Sequence, residues 1–367
     1  MDAAAPASTD AMAQAASPQA IAEYRLKLRE YQEARAAFET EAGAYWNSIA
    51  EKRRGRNAKR REHLAITLDD YVLTQPPVYS GPKRPVSPEL EEEVRPRQRK
   101  AIPVVADLLQ AASEHFQWTP QKPVSEVEFK RAYARVASAA GLTREQAVRV
   151  YSFETGGNGN YDMQSGLRSG RAISTAIGYN QLLTTNSVEL LAEQGHEFVR
   201  ELTQKAAPLS GSQRQAIDRK IAVLKKMVAY ARSVPDDWSL HEKLADTPQG
   251  WALHAMVLDI DVGPLLQTHK LLTSVIFARA KGYTRPLTAA ELEMMNLTGD
   301  STGLDMVTMP QAMRELVPTS NFFQRSGYER NPVAIRHNTV AKLLAVTDSR
   351  MDSNSNLPGA KELASAF

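Results

Sequence analysis

The chain has 367 residues, of which 43% are hydrophobic, so it can bury a substantial core and still carry an extension beside one main domain. Its formal net charge of +3 is nearly balanced and does not by itself call for a nucleic-acid partner. The absence of cysteine excludes thiol nucleophiles, thiolate metal sites and disulfides, and is compatible with both the cytoplasm and the bacterial periplasm. No apolar run approaches the roughly 18 residues that a membrane-spanning helix needs.

The amino-terminal part of the sequence predicts a leader followed by a helix. Residues 1–20 are rich in alanine, serine, proline and glutamine, which is typical of a flexible leader, and they could follow a removed signal peptide. Over residues 21–65, apolar side chains recur at spacings of three and four as far as Ile49, which predicts a long amphipathic helix. This stripe can be a coiled-coil seam or a face packed on the protein's own body. Packing is favoured because a seam needs several unbroken heptads.

A run of basic residues ends this helix, in the segment KRRGRNAKRR at residues 52–61. One interpretation is a solvated, charged helix end, and the other is contact with an anionic wall polymer or a membrane surface. No nucleic-acid recognition motif accompanies the run, so nucleic acid is not expected as a partner. The side chains that would make the polymer contact are Lys52, Arg53, Arg54, Arg56, Lys59, Arg60 and Arg61.

The remaining sequence predicts a connector and a helical domain. Residues 66–103 contain seven prolines, which exclude a continuous helix and favour an extended connector. Residues 104–346 have helical patterns without alternating strands, and SEVE at 125–128 and TREQ at 143–146 fit capping boxes at two helix starts. Residues 347–367 include a Ser/Asn-rich stretch and are expected to form a loose tail. The predicted fold class is therefore all-α.

Several familiar chemistries are absent from the sequence. The seven histidines include no pair spaced for one helical face, and there is no Walker loop or G-x-S-x-G elbow, so no metal or cofactor is expected. Asn158, Asn160 and Asp162 copy the first ligand spacings of a calcium loop. However, Met163 stands where that loop needs glycine and Ser169 where it needs glutamate, so calcium is not favoured.

The candidate catalytic residue is Glu154, at the end of the helix that begins with TREQ. It follows the apolar residues Val150, Tyr151 and Phe153 and is followed by the glycine-rich stretch TGGNGN. Gly156 can simply end the helix and leave Glu154 on the surface. The alternative is that nearby buried surface raises the pKa of the Glu154 carboxyl, so that it can act as an acid near neutral pH.

A second segment, STAIGYNQLL at residues 174–183, combines with this glutamate in a longer pattern. A helix-ending glutamate, a glycine-rich polar stretch and then a G-x-x-Q-L segment resemble the lytic transglycosylases of the lysozyme-like superfamily. A third segment, MMNLTG at residues 294–299, resembles the family's Ala-Tyr-Asn-Ala-Gly motif in degraded form. Glu154, Gly178, Gln181, Leu182, Asn296 and Gly299 match the family's motifs, whereas Thr155, Tyr179, Asn180 and Met295 depart from them.

The resemblance implies a lysozyme-like catalytic domain over residues 104–346 that cuts the β-1,4 bond between N-acetylmuramic acid and N-acetylglucosamine in peptidoglycan. Glu154 would act first as general acid and then as base, which closes a 1,6-anhydro ring. The substrate-binding residues would be Thr155, Tyr179, Asn180, Gln181 and Asn296. The implied partner is the peptidoglycan glycan strand, the implied location is the periplasm or the cell exterior, and a monomer is expected.

Three other functions stay open at this point, and one of them is a coiled-coil interaction protein organised by residues 21–61. A goose-type lysozyme-like hydrolase would use Asp162 as a second carboxylate to position water, although aspartate in a turn-rich stretch commonly closes a turn. A non-catalytic wall-binding scaffold would keep the fold without activity. Tyr179 can likewise be a core residue rather than a sugar-binding one.

Overall fold

The computed structural model describes residues 17–88 and 101–367, and 68% of it is helical. The described residues form isolated β-bridges but no sheet, which confirms the predicted all-α fold class. The helices are α1 (Pro18–Arg61), α2 (Val105–Phe116), α3 (Glu126–Ala139), α4 (Arg144–Thr155), α5 (Thr184–Ala206), α6 (Gly211–Ala231), α7 (Trp238–Ala245), α8 (Pro248–His254), α9 (Gly263–Ala280), α10 (Ala289–Thr298), α11 (Asp300–Thr308), α12 (Gln311–Leu316), α13 (Arg325–Glu329), α14 (Pro332–Arg336), α15 (Val340–Ser355) and α16 (Pro358–Ala366). None of the helices in the described ranges is long and apolar enough to cross a membrane.

The chain divides into two compact units. Unit 1 comprises Met1–Lys100, of which residues 17–88 are described, together with Gln324–Arg330. Unit 2 comprises Ala101–Phe323 and Asn331–Phe367. Of the predicted leader and connector, residues 1–16 and 89–100 lie outside the described residues.

In unit 1, the apolar stripe of α1 is covered by the segment that follows it. The ring of Tyr79 meets Tyr31 and Phe38 edge-on, at centroid distances of 6.4 and 5.4 Å. Further along the helix, the Tyr45 hydroxyl donates to the Thr74 carbonyl at 2.9 Å. This part of the stripe is therefore a face packed on the chain's own connector, as the packing interpretation expects.

Part of the basic run is used inside unit 1. The buried Arg56 guanidinium donates to the Asp70 carbonyl at 2.9 Å and lies 4.4 Å above the Tyr71 ring. The Lys59 ammonium pairs with the Asp70 carboxylate at 2.7 Å. These contacts hold the short 3-10 turn Leu68–Asp70 against α1. The buried Arg56 is therefore not available for the expected contact with an anionic polymer, and that contact stays a prediction for the other basic residues of the run.

In unit 2, two clusters of buried side chains form the core. One is built mainly from α2, α5, α6 and α8, and the other from α3, α4, α10, α15 and α16. Helix α9 contributes to both, because Leu265 and Leu266 belong to the first cluster and Leu271 and Val275 to the second. Helix α9 therefore joins the two halves of the core, and α4, α5, α9 and α10 can share one cleft.

The carboxyl-terminal residues differ from the expected loose tail. Residues 340–355 and 358–366 are the helices α15 and α16, which bury Met351, Ala360 and Leu363 in the second core cluster. Helix α15 also fixes α4, because the Asn354 side-chain amide donates to the Ser152 carbonyl at 2.9 Å. The last turns of α4 are thus held in place by the end of the chain.

Candidate active site

Glu154 is the penultimate residue of α4, and the local sequence fixes its position. The helix starts at a reciprocal capping box between Thr143 and Gln146, as predicted, and the Gln146 amide also donates to the Leu287 carbonyl just before α10. It ends at Gly156, whose φ of 66° lies in the left-handed region that glycine adopts without strain. The burial of Val150 and Tyr151 leaves Glu154 on the edge of the core.

Glu154 lies in a cleft of about 720 Å³ within unit 2. Side chains from α4, α5, α7, α9, α10 and α11 line this cleft, together with residues of the loop between α4 and α5. The other two segments that carried the family resemblance, at residues 174–183 and 294–299, thus contribute to the same cleft as the glutamate. The lining includes both polar and apolar side chains, and the half-exposed Trp238 (46%) is among them.

The surroundings of the Glu154 carboxyl bring its pKa close to neutral pH. Its burial raises its pKa from the ordinary 4.5 to about 7, while the nearby charge of Lys270 and the Asn296 side chain act in the opposite direction. The Asn296 amide donates to Glu154 Oε1 at 3.0 Å, across 142 positions of sequence. Near pH 7 the group is therefore present both as acid and as base, which suits proton transfer in either direction.

A second carboxyl in this cleft is Glu293, which the sequence analysis missed. Its side chain is 3% exposed, and its Oε2 atom has no hydrogen-bond partner among the described residues. Burial first, and the charge of Glu154 second, raise the pKa of Glu293 well above its ordinary value. Both influences favour the protonated form of Glu293. A signal was present in the sequence, since Glu293 precedes Asn296 by three residues and so shares its helical face.

Further acids surround a single lysine on the other side of the cleft. Glu189, Glu193 and Asp300 line the cleft with Lys270. Burial lowers the pKa of Lys270, and the carboxylates of Glu189, Glu154, Glu293 and Asp300 oppose that shift. Burial and the charge of Glu193 raise the pKa of Glu189 to about 7. None of these four residues was predicted, because they come together only through the packing of α5, α9 and α11.

Gln181 lines the cleft as predicted, at the end of a tight hairpin turn. Ile177 and Leu182 exchange both backbone hydrogen bonds, and Gly178 and Gln181 both have positive φ, of 83° and 44°. A Cβ at Gly178 would lie 2.0 Å from Nε2 of Gln267, so the turn requires glycine there. The Gln181 amide donates to the Gly178 carbonyl at 2.8 Å, so it closes the turn as well as facing the cleft.

Two residues predicted to bind substrate in this turn belong instead to the core. Tyr179 is fully buried among the rings of Phe129, Tyr133 and Tyr151, and its hydroxyl donates to Glu126. Asn180 is also fully buried, and its amide donates to the Tyr133 hydroxyl and the Gln267 carbonyl. The reason is the turn geometry, which directs both side chains away from the cleft.

Two other predicted residues do not line the cleft. Thr155 is buried, and its hydroxyl donates to the Tyr151 carbonyl at 2.7 Å within α4. Asp162 is exposed and is not among the residues that line the cleft. Of the predicted site residues, the structure brings together Glu154, Gln181 and Asn296.

The stretch that copied part of a calcium loop has a structural use. The Asn158 side-chain oxygen accepts from the Gly359 amide at 2.9 Å, and the Gly157 carbonyl accepts from the Ala360 amide at 2.8 Å. The loop therefore holds the first turn of α16. Within residues 17–88 and 101–367, no three His, Cys, Asp or Glu side chains come together as metal ligands.

Compared with protein-family models, with curated proteins and with solved structures, the chain matches none. Its function is therefore inferred from the residues of the cleft and their geometry.

Proposed function

We propose that unit 2 is a peptidoglycan lytic transglycosylase with a lysozyme-like helical fold. It would cut the β-1,4 bond between N-acetylmuramic acid and N-acetylglucosamine. The observation that carries the proposal is the state of Glu154, a carboxyl in an open cleft, held by Asn296, with a pKa raised to about 7. A single group that is acid and base at the same pH is what this reaction needs.

In the proposed reaction, protonated Glu154 donates its proton to the glycosidic oxygen as the bond from that oxygen to C1 of the muramoyl residue breaks. The Glu154 carboxylate then takes the proton of the muramoyl C6 hydroxyl, and the C6 oxygen bonds to C1. The products are a 1,6-anhydro end and a free hydroxyl end, and Glu154 regains its proton. No water is consumed, so the chain needs no residue that positions a nucleophilic water.

The neighbours of Glu154 fit these two steps. Asn296 fixes one carboxyl oxygen by donating to it, which leaves the other oxygen for the substrate. Lys270 stabilises the carboxylate that exists between the two proton transfers. Trp238 offers an exposed indole face in the same cleft, a surface on which sugar rings commonly pack.

The goose-type hydrolase is the second candidate, and the structure gives it less support. Hydrolysis needs a second carboxylate near the scissile bond to activate water. Asp162 does not line the cleft, and burial beside Glu154 raises the pKa of Glu293 and so favours its protonated form. A protonated carboxyl is a poor base, which makes Glu293 a weaker candidate for the group that activates water.

A purely structural scaffold is the third candidate. Two carboxyl groups with interacting charges, buried in one cleft, disfavour folding relative to apolar side chains at the same positions. A scaffold gains nothing from these buried carboxyls, whereas an acid catalyst needs a carboxyl whose pKa is raised by burial. An enzyme that acts on peptidoglycan would work in the periplasm or outside the cell, as a monomer in the simplest case. The basic residues of α1 could contact anionic wall polymers there.

Product analysis tests the proposal. The full chain is incubated with purified sacculi, and the soluble fragments are analysed by mass spectrometry. Fragments that are lighter by one water than the corresponding reducing-end fragments would establish the anhydro product. Reducing ends alone would show the hydrolase, and the absence of soluble fragments would favour the scaffold.

A further inference from the structure

The cleft around Glu154 carries more negative than positive groups. Five carboxyl side chains line it, against one lysine among the described lining residues. The carboxyls are Glu154, Glu189, Glu193, Glu293 and Asp300, and the lysine is Lys270. Glu154 and Glu189 are partly protonated at neutral pH, since the pKa of each is about 7, but the carboxyls still outnumber the one ammonium. A charge excess of this kind in a partly desolvated cleft favours a cationic ligand.

Lys270 does not compensate the acids fully. Its charge is shared among four of them, and Glu189 and Glu193 still repel each other, since the charge of Glu193 helps to raise the pKa of Glu189. Asp300 accepts a hydrogen bond from the Ser274 hydroxyl, at 2.5 Å, which is a neutral donor. A further cation at this side of the cleft would relieve the repulsion.

An independent observation concerns Glu293, at the base of the same cleft. Glu293 lines the cleft and is only 3% exposed, and its Oε2 atom has no hydrogen-bond partner among the described residues. Buried polar atoms in native proteins nearly always have a partner, and an exception commonly marks a place where a ligand or water binds.

We propose that the acidic side of the cleft, formed by Glu189, Glu193 and Asp300 with Glu293 at its base, binds a primary ammonium group carried by the glycan substrate. This inference rests on the proposed function, because it specifies the substrate of the same cleft. An ammonium group is a compact cation with three donors, so it can satisfy several carboxyl oxygens at once. An acetamido group at the same place has no charge and only one N–H donor.

Two parts of peptidoglycan carry this chemistry. One is the 2-amino group of a hexosamine that has lost its acetyl group, and the other is the side-chain amine of a diamino acid in a stem peptide. The shared prediction is that an amine-bearing glycan binds more tightly than the matching glycan without a free amine. Two sets of substrates distinguish the sources.

The first experiment measures binding without turnover, using the full-length Glu154→Gln variant. Isothermal titration calorimetry compares a fully N-acetylated chitin hexamer with the same hexamer after partial de-N-acetylation. We expect the amine-bearing hexamer to bind about fivefold more tightly at low salt, and the advantage to shrink when salt is raised to about 0.5 M, because the attraction is between charges. Equal affinities at low salt would overturn the inference.

Charge variants locate the effect. Glu193 is exposed, so Glu193→Gln, combined with Glu154→Gln, should fold normally and reduce the preference for the amine to about twofold or less. Asp300→Asn should act in the same direction. The matched control is Glu201→Gln, which removes an exposed acid from the same helix α5 but faces a different cavity, and it should keep the full preference. A preference that survives in Glu193→Gln and Asp300→Asn alike would contradict the assignment.

The second experiment identifies the source of the amine and separates the two proposals. Glycan strands with intact stem peptides are compared with strands from which the stems have been removed, each before and after de-N-acetylation. A gain on de-N-acetylation supports the amino sugar, and a gain from the stems supports the stem amine. Wild-type protein that cuts sacculi but has no amine preference in either set would overturn this inference and keep the proposed function. An amine preference without cleavage of sacculi would keep the ammonium site and overturn the proposed function.

Discussion

Glu154 combines two opposing influences at one carboxyl. Burial disfavours the charged form and raises its pKa, while Lys270 and Asn296 favour the charged form and limit the rise. The result, a pKa of about 7, places both protonation states within reach at neutral pH. Removal of the Lys270 charge should therefore shift the pKa of Glu154 in a direction that can be measured.

Lys270→Met should move the alkaline limb of the pH profile to higher pH. The lysine charge lowers the pKa of Glu154 and burial raises it, so the pKa rises when the charge is removed. The acid form then persists to a pH about one unit higher. The measurement is kcat/KM on soluble glycan strands as a function of pH. Lys281→Met, an exposed lysine just beyond α9, should leave the profile unchanged. A limb that stays or moves to lower pH would disprove this role for Lys270.

Tyr179 should matter for stability and not for substrate binding. Its hydroxyl donates to the partly buried Glu126 carboxyl, so Tyr179→Phe removes a donor from an acid whose pKa burial already raises. We expect the free energy of unfolding to fall by about 1–3 kcal/mol, measured by denaturant titration. The KM of the folded variant should equal that of the wild type. A raised KM with unchanged stability would show that the sugar-binding interpretation was right.

At the scale of the elements, α16 holds the loop that follows Glu154. Its fully buried Leu363 packs in the second core cluster, and its first turn bonds to residues 157 and 158. Leu363→Ala should reduce the free energy of unfolding by about 2–5 kcal/mol, because it leaves a cavity. Lys361→Ala, at an exposed position of the same helix, should cost less than about 0.5 kcal/mol. Equal, small effects of both variants in thermal unfolding would instead indicate a loose tail.

His254 joins three elements beside the cleft. Its Nε2 lies 2.8 Å from the Thr175 carbonyl and its Nδ1 lies 2.8 Å from the Ser187 hydroxyl. A carbonyl only accepts, so the proton sits on Nε2, and the neutral ring accepts from Ser187. Burial lowers the pKa of this histidine from 6.5 to about 4. The neutral ring therefore ties the loop before α5 to the start of α5 and to α8.

This pKa gives a pH dependence of stability with a definite sign. In the unfolded chain His254 takes up a proton as the pH falls below its ordinary pKa of 6.5, whereas in the folded chain it does so only near its lowered pKa of about 4. The free energy of unfolding should therefore fall by about 3 kcal/mol as the pH drops through this window. Denaturant titrations of His254→Gln should show a smaller decrease with pH than the wild type. His115→Gln, at an exposed position, should keep the wild-type decrease, and identical slopes in all three proteins would refute the assignment.

The α4 helix and its catalytic candidate could be predicted because their signals are local. The Thr143–Gln146 capping box, the buried positions before Glu154 and the left-handed Gly156 all lie within one short segment. The two helices at the carboxyl terminus were missed although buried positions in α15 recur with helical spacing, at Val340, Leu343, Thr347 and Met351. Polar Thr347 and the serines and asparagines around it hid that period.

For the molecule as a whole, the cleft could be predicted only in part, since its residues are distant in sequence. Asn296 was predicted through a motif, but Glu293, Lys270 and Glu189 meet Glu154 only because α10 packs on α4, α9 on α10 and α5 on α9. Spacing along the chain places Glu293 on the helical face of Asn296, but it contains no information about Lys270 or Glu189. Tyr179 and Asn180 were assigned wrongly for a related reason, because a four-residue turn directs neighbouring side chains to different surroundings.

The activity of Glu154→Gln on sacculi tests the central claim most directly. The amide keeps the shape of the side chain but can neither give the acid proton nor accept the C6 proton, so release of soluble fragments should fall by about a hundredfold or more while the melting temperature is kept. Glu145→Gln, in the exposed first turn of the same helix, is the matched control and should retain wild-type activity. If a folded Glu154→Gln variant released anhydro fragments at a rate within about threefold of the control, Glu154 would not be the acid and base of this reaction.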